Sequence, residues 1–136
     1  MNRLFASLAL LCGLCTALSP ALAADPVRTR FARAVYEQSA ADINHGRPQA
    51  MLRAVVVLRV RLGTNGHWVP EVVRENDEQP EMTRRALACV EALVADLEMP
   101  DAERRDLQKN GFLEAWLFQN DGRFALKTLA LPQLGL

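Results

Sequence analysis

Apolar and polar side chains alternate along two short stretches of this chain, and each stretch is interrupted by a turn that ends in glycine. The first turn is Thr64–Asn65–Gly66. A three-residue loop with Gly66 left-handed brings apolar residues opposite one another, whereas a two-residue loop sets Val60 against Glu71. The predicted pairs are Leu62 with Trp68, Val60 with Pro70, Leu58 with Val72 and Arg59 with Glu71. Pro70 cannot donate to a ladder, so we expect an outer side of the sheet or a bulge at its strand.

The second turn, Asn120–Asp121–Gly122, follows the same rule. A three-residue loop pairs Phe118 with Phe124 and Trp116 with Leu126, so one face of this hairpin is strongly apolar. Trp68 and Trp116 fall on the apolar faces of their hairpins, and core packing is their expected role. The predicted strands are Met51–Leu62, Trp68–Val73, Leu113–Gln119 and Arg123–Leu129.

Two segments have the spacing of amphipathic helices. The first runs from Val27 to about residue 44, and His45–Gly46–Arg47–Pro48 is expected to end it. The second begins at Pro80, a residue favoured in the first turn. Its apolar stripe consists of Met82, Ala86, Leu87, Val90, Leu93, Val94 and Leu97, with the charged Arg84, Arg85, Glu91 and Asp96 away from it. Pro100 closes this segment, and Asp101–Gly111 is interpreted as a loop or short helical turn.

The predicted element order is α-β-β-α-β-β. It indicates an α+β fold in which two hairpins form an antiparallel sheet and the helices pack on one face. Residues 24–136 are enough for a single domain, with the N-terminal helix at about 27–44 and the core at about 50–130. An open sheet of this kind has edges, and an unpaired strand can accept another chain by main-chain hydrogen bonding.

Residues 1–23 have the pattern of a secretory signal peptide. Arg3 supplies positive charge, Leu4–Leu18 an apolar core, and Pro20–Ala23 a small-residue cleavage site, so we expect cleavage after Ala23. The apolar core is shorter than the ~20 residues that span a bilayer. The expected location is the periplasm, and the alternative is an inner-membrane anchor with the domain facing the periplasm.

The charge balance and the cysteine content limit which partners the domain is expected to bind and what can stabilise its fold. The chain has 16 basic and 16 acidic residues. It lacks the basic excess that drives binding to phosphate backbones, so no nucleic-acid partner is expected. Cys12 and Cys15 lie in the expected signal peptide, which leaves Cys89 alone in an oxidising compartment. No internal disulfide is therefore expected, and the core must supply the stability.

No arrangement of side chains in the sequence indicates a reaction. His45 and His67 lie beside separate predicted turns, without the spacing of a metal site. Ser39 lacks the glycine-flanked turn that exposes a nucleophile, and Cys89 has no histidine near it in sequence. The carboxylates at 75–81 belong to a solvated connection rather than to facing elements of a cleft. We expect no enzymatic activity, no catalytic residue, no cofactor and no metal.

The run Val56–Val73, followed by Ala86–Val90 and Trp116–Phe118, resembles the C-terminal domain of TonB-type energy transducers. The resemblance covers about residues 50–130. It implies a periplasmic α+β domain that docks partners through a sheet edge, as TonB does with a segment of outer-membrane receptors. Residues 4–18 lack the family's functional histidine, and the chain from Pro26 to the first strand is too short for its proline-rich spacer. The resemblance therefore implies a stand-alone domain of this shape.

These patterns favour an exported, non-enzymatic domain that binds a protein or peptide through an exposed strand. An outer-membrane receptor and a secretion component are the expected kinds of partner, and self-association stays open. The candidate contact residues lie on the two strands expected at the edges: Trp68, Val69, Glu71, Val73, Arg123, Ala125 and Lys127. The alternative is a small-molecule carrier or sensor with an apolar pocket lined by Trp68, Trp116 and Phe118.

Overall fold

The structure, a computed structural model, describes residues 20–95 and 98–133, with side chains from residue 26 onward. Its elements are α1 (Pro20–Gln38), a 3-10 turn (Ala40–Asp42), β1 (Ala54–Leu62), β2 (Trp68–Arg74), α2 (Pro80–Glu91), α3 (Asp101–Lys109), β3 (Phe112–Phe118) and β4 (Phe124–Leu126). Within the described residues the strands form one antiparallel sheet in the order β2-β1-β3-β4. The predicted α+β class and antiparallel sheet are confirmed. Most of the expected signal peptide lies outside the described residues, and the boundary at residue 23 stays a prediction.

Both hairpin registers agree with those predicted from the apolar pattern. The observed partners include Leu62 with Trp68, Val60 with Pro70, Leu58 with Val72, Arg59 with Glu71, Trp116 with Leu126 and Phe118 with Phe124. Each loop ends in a glycine with positive φ, 80° at Gly66 and 83° at Gly122. The register was predictable because a slip of one residue would turn every core side chain to the opposite face.

One face of the sheet carries the hydrophobic core, and the helices pack against it. Along β1, the buried residues from Ala54 to Leu62 alternate with half-buried ones. All the helices contribute to the same core cluster, through Phe31 and Val35 of α1, Met82, Ala86 and Val90 of α2, and Leu107 of α3. The Phe31 ring meets those of Trp68 and Trp116 edge-on, with centroids 5.5 and 6.4 Å apart. Both tryptophans are therefore core residues, as predicted.

The first helix differs from its prediction at both ends. It begins at Pro20 rather than at Val27, and it ends at Gln38 rather than near residue 44. Ile43 is buried and extended, with φ −87° and ψ 132°, and forms a parallel bridge with Phe124. Pairing with β4 and burial of Ile43 therefore replace the last predicted turn of helix.

The predicted helix is wrong beyond Glu91, where α2 ends, although Leu93 of the predicted stripe still packs against the core. Val94 is 69% exposed and forms a bridge with His67, while the Ala95 N–H donates to the Gly66 carbonyl at 2.9 Å. The segment after α2 therefore satisfies main-chain groups of the first hairpin instead of continuing the helix. Leu97 lies outside the described residues.

The predicted order lacks one helix, and two predicted strands are too long. Asp101–Lys109 forms α3 where a loop or short turn was expected, and acidic residues in its first turn with Lys109 in its last suit the helix dipole. The strand β1 begins at Ala54 rather than Met51. The strand β4 covers only Phe124–Leu126, because the N–H groups of Leu129 and Ala130 turn back to the Leu126 carbonyl.

Candidate functional site

The two edges of the sheet are β2 and β4, and the chain itself covers most of β4. The Asn44 N–H donates to the Phe124 carbonyl at 2.8 Å. The Leu126 N–H donates to the Tyr36 hydroxyl oxygen at 3.0 Å. These contacts occupy outward-facing main-chain groups of β4, so β2 is the more open edge.

The direction of the main-chain groups of β2 follows from the hairpin loop. The Gly63 N–H donates to the His67 carbonyl at 2.8 Å, which makes this pair a hydrogen-bonded one. Such pairs alternate along an antiparallel ladder, so the main-chain groups of Trp68, Pro70 and Val72 point outward. Pro70 therefore stands where an outward N–H would otherwise be, which agrees with the prediction of an outer side at this strand.

Two further features shorten the open part of the β2 edge. The bridge between His67 and Val94 covers its beginning. The register between β1 and β2 shifts between Val57 and Leu58, so that a bulge interrupts the ladder near Val73. Proline and bulges are devices that limit strand addition at a sheet edge. The edge that remains open is short and poor in donors.

The sheet face turned away from the helices is called the outer face from here on. By strand register it carries Val55, Val57, Arg59, Arg61, Val69, Glu71, Arg74, Leu113, Ala115, Leu117 and Ala125. Lys127 flanks it, because its N–H donates to the Ala115 carbonyl at 3.0 Å. Val69 is 50% exposed and Leu113 43% exposed, while Val55, Val57 and Leu117 are half-buried. None of the helical residues in the core cluster lies on this face.

The outer face is basic and aliphatic. By register its charged residues are Arg59, Arg61 and Arg74 against Glu71, and Lys127 flanks it. Glu75, Asp77 and Glu78 lie around Arg74 at one end of the face. The closest charge contact joins Arg61 and Glu71, with an N–O distance of 3.5 Å. No described aromatic side chain lies on this face. A concavity of about 460 Å³ opens on it, lined by Val57, Leu113, Ala115 and Lys127 and continuing to Arg28, Glu114 and Thr128.

The sequence-predicted contact residues do not all reach solvent. Trp68 and Ala125 are buried, with 8% and 1% of their surface exposed. Val69, Glu71 and Val73 are exposed along β2, with Val73 at the bulge. Arg123 and Lys127 are exposed on either side of β4. The structure thus brings the exposed candidates of the first hairpin together on β2 and its adjoining outer face.

Glu114 is a buried carboxylate that sequence reasoning missed. Its oxygens accept hydrogen bonds from the Thr128 hydroxyl, from the Ala115 N–H at 2.9 Å and from the Thr128 N–H at 3.3 Å. Burial raises the pKa of the Glu114 carboxyl, and these bonds and the Arg28 charge offset part of the rise. It joins β3 to the chain that follows β4. Its signal in the sequence was a lone charge inside the apolar run 112–118.

The residues considered for catalysis do not converge. Cys89 is partly buried, its sulfur 3.7 Å from the Ser39 hydroxyl, and burial raises the pKa of the thiol. A raised pKa lowers the thiolate fraction, which is the reactive form. His45 lies beside Tyr36 near β4, and His67 lies at the start of β2, so they stand at opposite edges of the sheet. Among the residues that the structure describes, no cluster of His, Cys, Asp and Glu is arranged to hold a metal ion.

The aromatic residues proposed to line a pocket are packed in the core. Trp116 and Phe118 are fully buried, and Trp68 borders a cavity of about 130 Å³ between α1 and the segment after α2. Pockets for small molecules are typically of ~300–1,000 Å³. The cavity beside Trp68 is therefore small for such a ligand.

None of the helices in residues 20–95 and 98–133 has the length and apolar character to cross a membrane. Comparison with protein families, curated proteins and solved structures finds no match for this chain.

Proposed function

We propose that this chain is a non-enzymatic protein-binding domain that docks a protein or peptide through the β2 side of its sheet. The observation that carries the proposal is the outer face, which exposes Val69 and Leu113 and to which, among the described residues, no helical residue of the core cluster contributes. A solvated face of an antiparallel sheet is ordinarily polar. Aliphatic side chains there are consistent with a surface that a partner covers.

The β2 edge and the outer face adjoin, and they offer different contacts. The edge supports only a short main-chain pairing, because Pro70 lacks an N–H and the bulge near Val73 breaks the ladder. The outer face offers side chains over β1 and β3 as well as the concavity beside Leu113. We therefore place most of the contact on the side chains of the outer face and a smaller part on the edge.

The periplasm is the compartment that we propose for this activity. The support is the signal-like pattern of residues 1–23 and the resemblance of residues 50–130 to the TonB C-terminal domain. An envelope partner, such as an outer-membrane receptor or a secretion component, follows from the same resemblance. Terminal sequencing of the protein recovered from periplasmic extract tests the location, and a protein that keeps residues 1–23 in the cytoplasm contradicts it.

Position-specific photocrosslinking tests the docking surface directly. A photoreactive amino acid replaces Val69 or Leu113 on the outer face, and Arg84 or Arg105 on the exposed side of α2 and α3 in matched controls. The variants are made in the cells that produce the protein. We expect a discrete protein adduct from both outer-face positions and none from the controls. Absence of adducts at both outer-face positions rejects the proposal.

The small-molecule alternative makes a different prediction. A ligand that enters the core beside Trp68 changes the fluorescence of the tryptophans, whereas a partner on the outer face leaves both indoles buried. A panel of lipids and metabolites that produces a saturable fluorescence change would favour the carrier. A flat response, together with position-specific adducts, favours protein binding.

A further inference from the structure

We infer that the outer face binds an acidic protein segment whose carboxylates alternate with aliphatic side chains. The inference rests on the proposed function and names the chemistry of its partner. Its basis is the unequal distribution of charge over the sheet, together with the aliphatic side chains of Val57 and Leu113 that lie between the charges.

The charge of the outer face departs from that of the whole chain. The chain is balanced, yet this face carries Arg59, Arg61 and Arg74 against Glu71, with Lys127 beside it. Glu75, Asp77 and Glu78 lie around Arg74 at one end, and Glu114 lines the concavity near Lys127. Within the described part of the chain, the side chains of Arg74 and Lys127 form no ion pair. The Arg61–Glu71 pair is solvent-exposed and therefore weak. The face thus offers positive charge to carboxylates of a partner.

Aliphatic side chains lie between these charges. Val57 and Leu113 line the concavity of about 460 Å³, and Lys127 and Arg28 stand around it. A short aliphatic side chain of the partner can pack against Val57 and Leu113, and a neighbouring carboxylate of the partner then lies near Lys127. The Glu114 carboxylate also lines the concavity, where it is bonded to Thr128 and Ala115 and the Arg28 charge acts on it. Lys127 is therefore the basic side chain around the concavity that remains for a partner.

Other occupants fit this surface less well. A second copy placed face to face would bring like charges together, because a two-fold contact pairs the same patch with itself. A lipid surface is ordinarily engaged by aromatic and long apolar side chains, and the described residues of the outer face have no aromatic. Single-stranded nucleic acid is likewise held by aromatic stacking in a basic groove. An acidic, aliphatic protein segment satisfies both the charge and the aliphatic side chains of the outer face.

Selection from a phage-displayed library of random peptides tests the inference on the purified protein. We expect the selected peptides to be enriched in Asp and Glu with Val, Ile or Leu between them. Arg74→Glu combined with Lys127→Glu should lower the affinity of a selected peptide at least about tenfold, because like charges then face each other. The matched control, Arg84→Glu with Arg105→Glu, makes the same change in net charge on exposed helical positions and should leave the affinity unchanged.

The outcomes separate this inference from the proposed function. Selected peptides without an acidic preference, or equal losses in the two double variants, overturn the inference while protein binding stands. A library that yields no binder, together with no crosslinks, rejects both. Binding of phosphatidylglycerol vesicles or single-stranded DNA that the Arg74/Lys127 variant abolishes, with no peptide selected, identifies a different class of occupant and also overturns it.

Discussion

Arg85 joins the second helix to the second hairpin: its Nη1 donates to the Gly122 carbonyl at 2.7 Å. The same guanidinium lies 5.2 Å from the centre of the Phe118 ring, and Nη2 is 3.9 Å from an Asp42 carboxylate oxygen. The helical pattern placed Arg85 on the polar side of α2, away from the core. Its contacts show that a long side chain on that side reaches the neighbouring loop.

Replacement of Arg85 tests how much this contact stabilises the fold. Arg85→Ala removes a charge-assisted hydrogen bond and a cation–π contact, so we expect the free energy of unfolding to fall by about 1–3 kcal/mol. Urea denaturation measures the change. Arg84→Ala, at the adjacent exposed position, should stay within about 0.5 kcal/mol of the parent protein. Equal losses in the two variants would mean that the Gly122 contact contributes nothing specific.

Gly111 has a stricter requirement for glycine than Gly122. Its φ is 63°, and a Cβ there would overlap the Val60 carbonyl oxygen. At Gly122, with φ 83°, a Cβ would lie 3.4 Å from the end of the Arg85 side chain. We expect Gly122→Ala to cost about 1–2 kcal/mol from left-handed strain alone. Gly111→Ala should cost more, because backbone atoms must also move. Chemical denaturation of both variants checks the order, and a smaller loss at Gly111 contradicts it.

Glu114 makes a contribution to the stability of the fold that decreases as the pH rises. Burial raises the pKa of this carboxyl in the folded protein above its ordinary value of 4.5, so the folded state holds the proton to higher pH than the unfolded chain does. Stability from this group is therefore fully present below the ordinary pKa and is lost as the pH rises through the folded pKa.

The Glu114→Gln variant removes this titration. We expect the decline of Tm with rising pH above the ordinary glutamate pKa to be shallower in the variant than in the parent protein. Scanning calorimetry across the acid-to-neutral range measures both slopes, and an NMR titration of the Glu114 side-chain carbonyl carbon locates the folded pKa. A variant with an unchanged slope would show that another group controls the pH dependence.

Val90 and Val94 distinguish the observed end of α2 from the predicted one. Val90 is fully buried in the helix, whereas Val94 lies beyond it and is 69% exposed. Val90→Ala should lower the free energy of unfolding by about 1–3 kcal/mol, through lost burial and a residual cavity. Val94→Ala should change it by about 0.5 kcal/mol or less. Similar losses at both positions, measured in urea, would support a continuous apolar stripe to residue 97.

The hairpins were predictable because their information is local. Side chains alternate with a period of two along a strand, and a glycine with positive φ sets the loop length, so the pairings of Leu62 with Trp68 and Phe118 with Phe124 follow from short stretches of sequence. The start of α2 at Pro80 is local in the same way. The burial of both tryptophans then follows from the register.

The remaining features depend on contacts between residues far apart in the chain. Whether Ile43 continues a helix or pairs with Phe124 depends on the position of β4 in the fold. The end of α2 depends on the first hairpin, whose Gly66 carbonyl accepts the hydrogen bond of the Ala95 N–H. The order of the strands, which makes β2 the open edge, is set by how the two hairpins pack through β1 and β3. Local alternation carries no information about such packing, because the free energy that selects it comes from the shared core. The outer face, the most informative surface for function, is defined only by that arrangement.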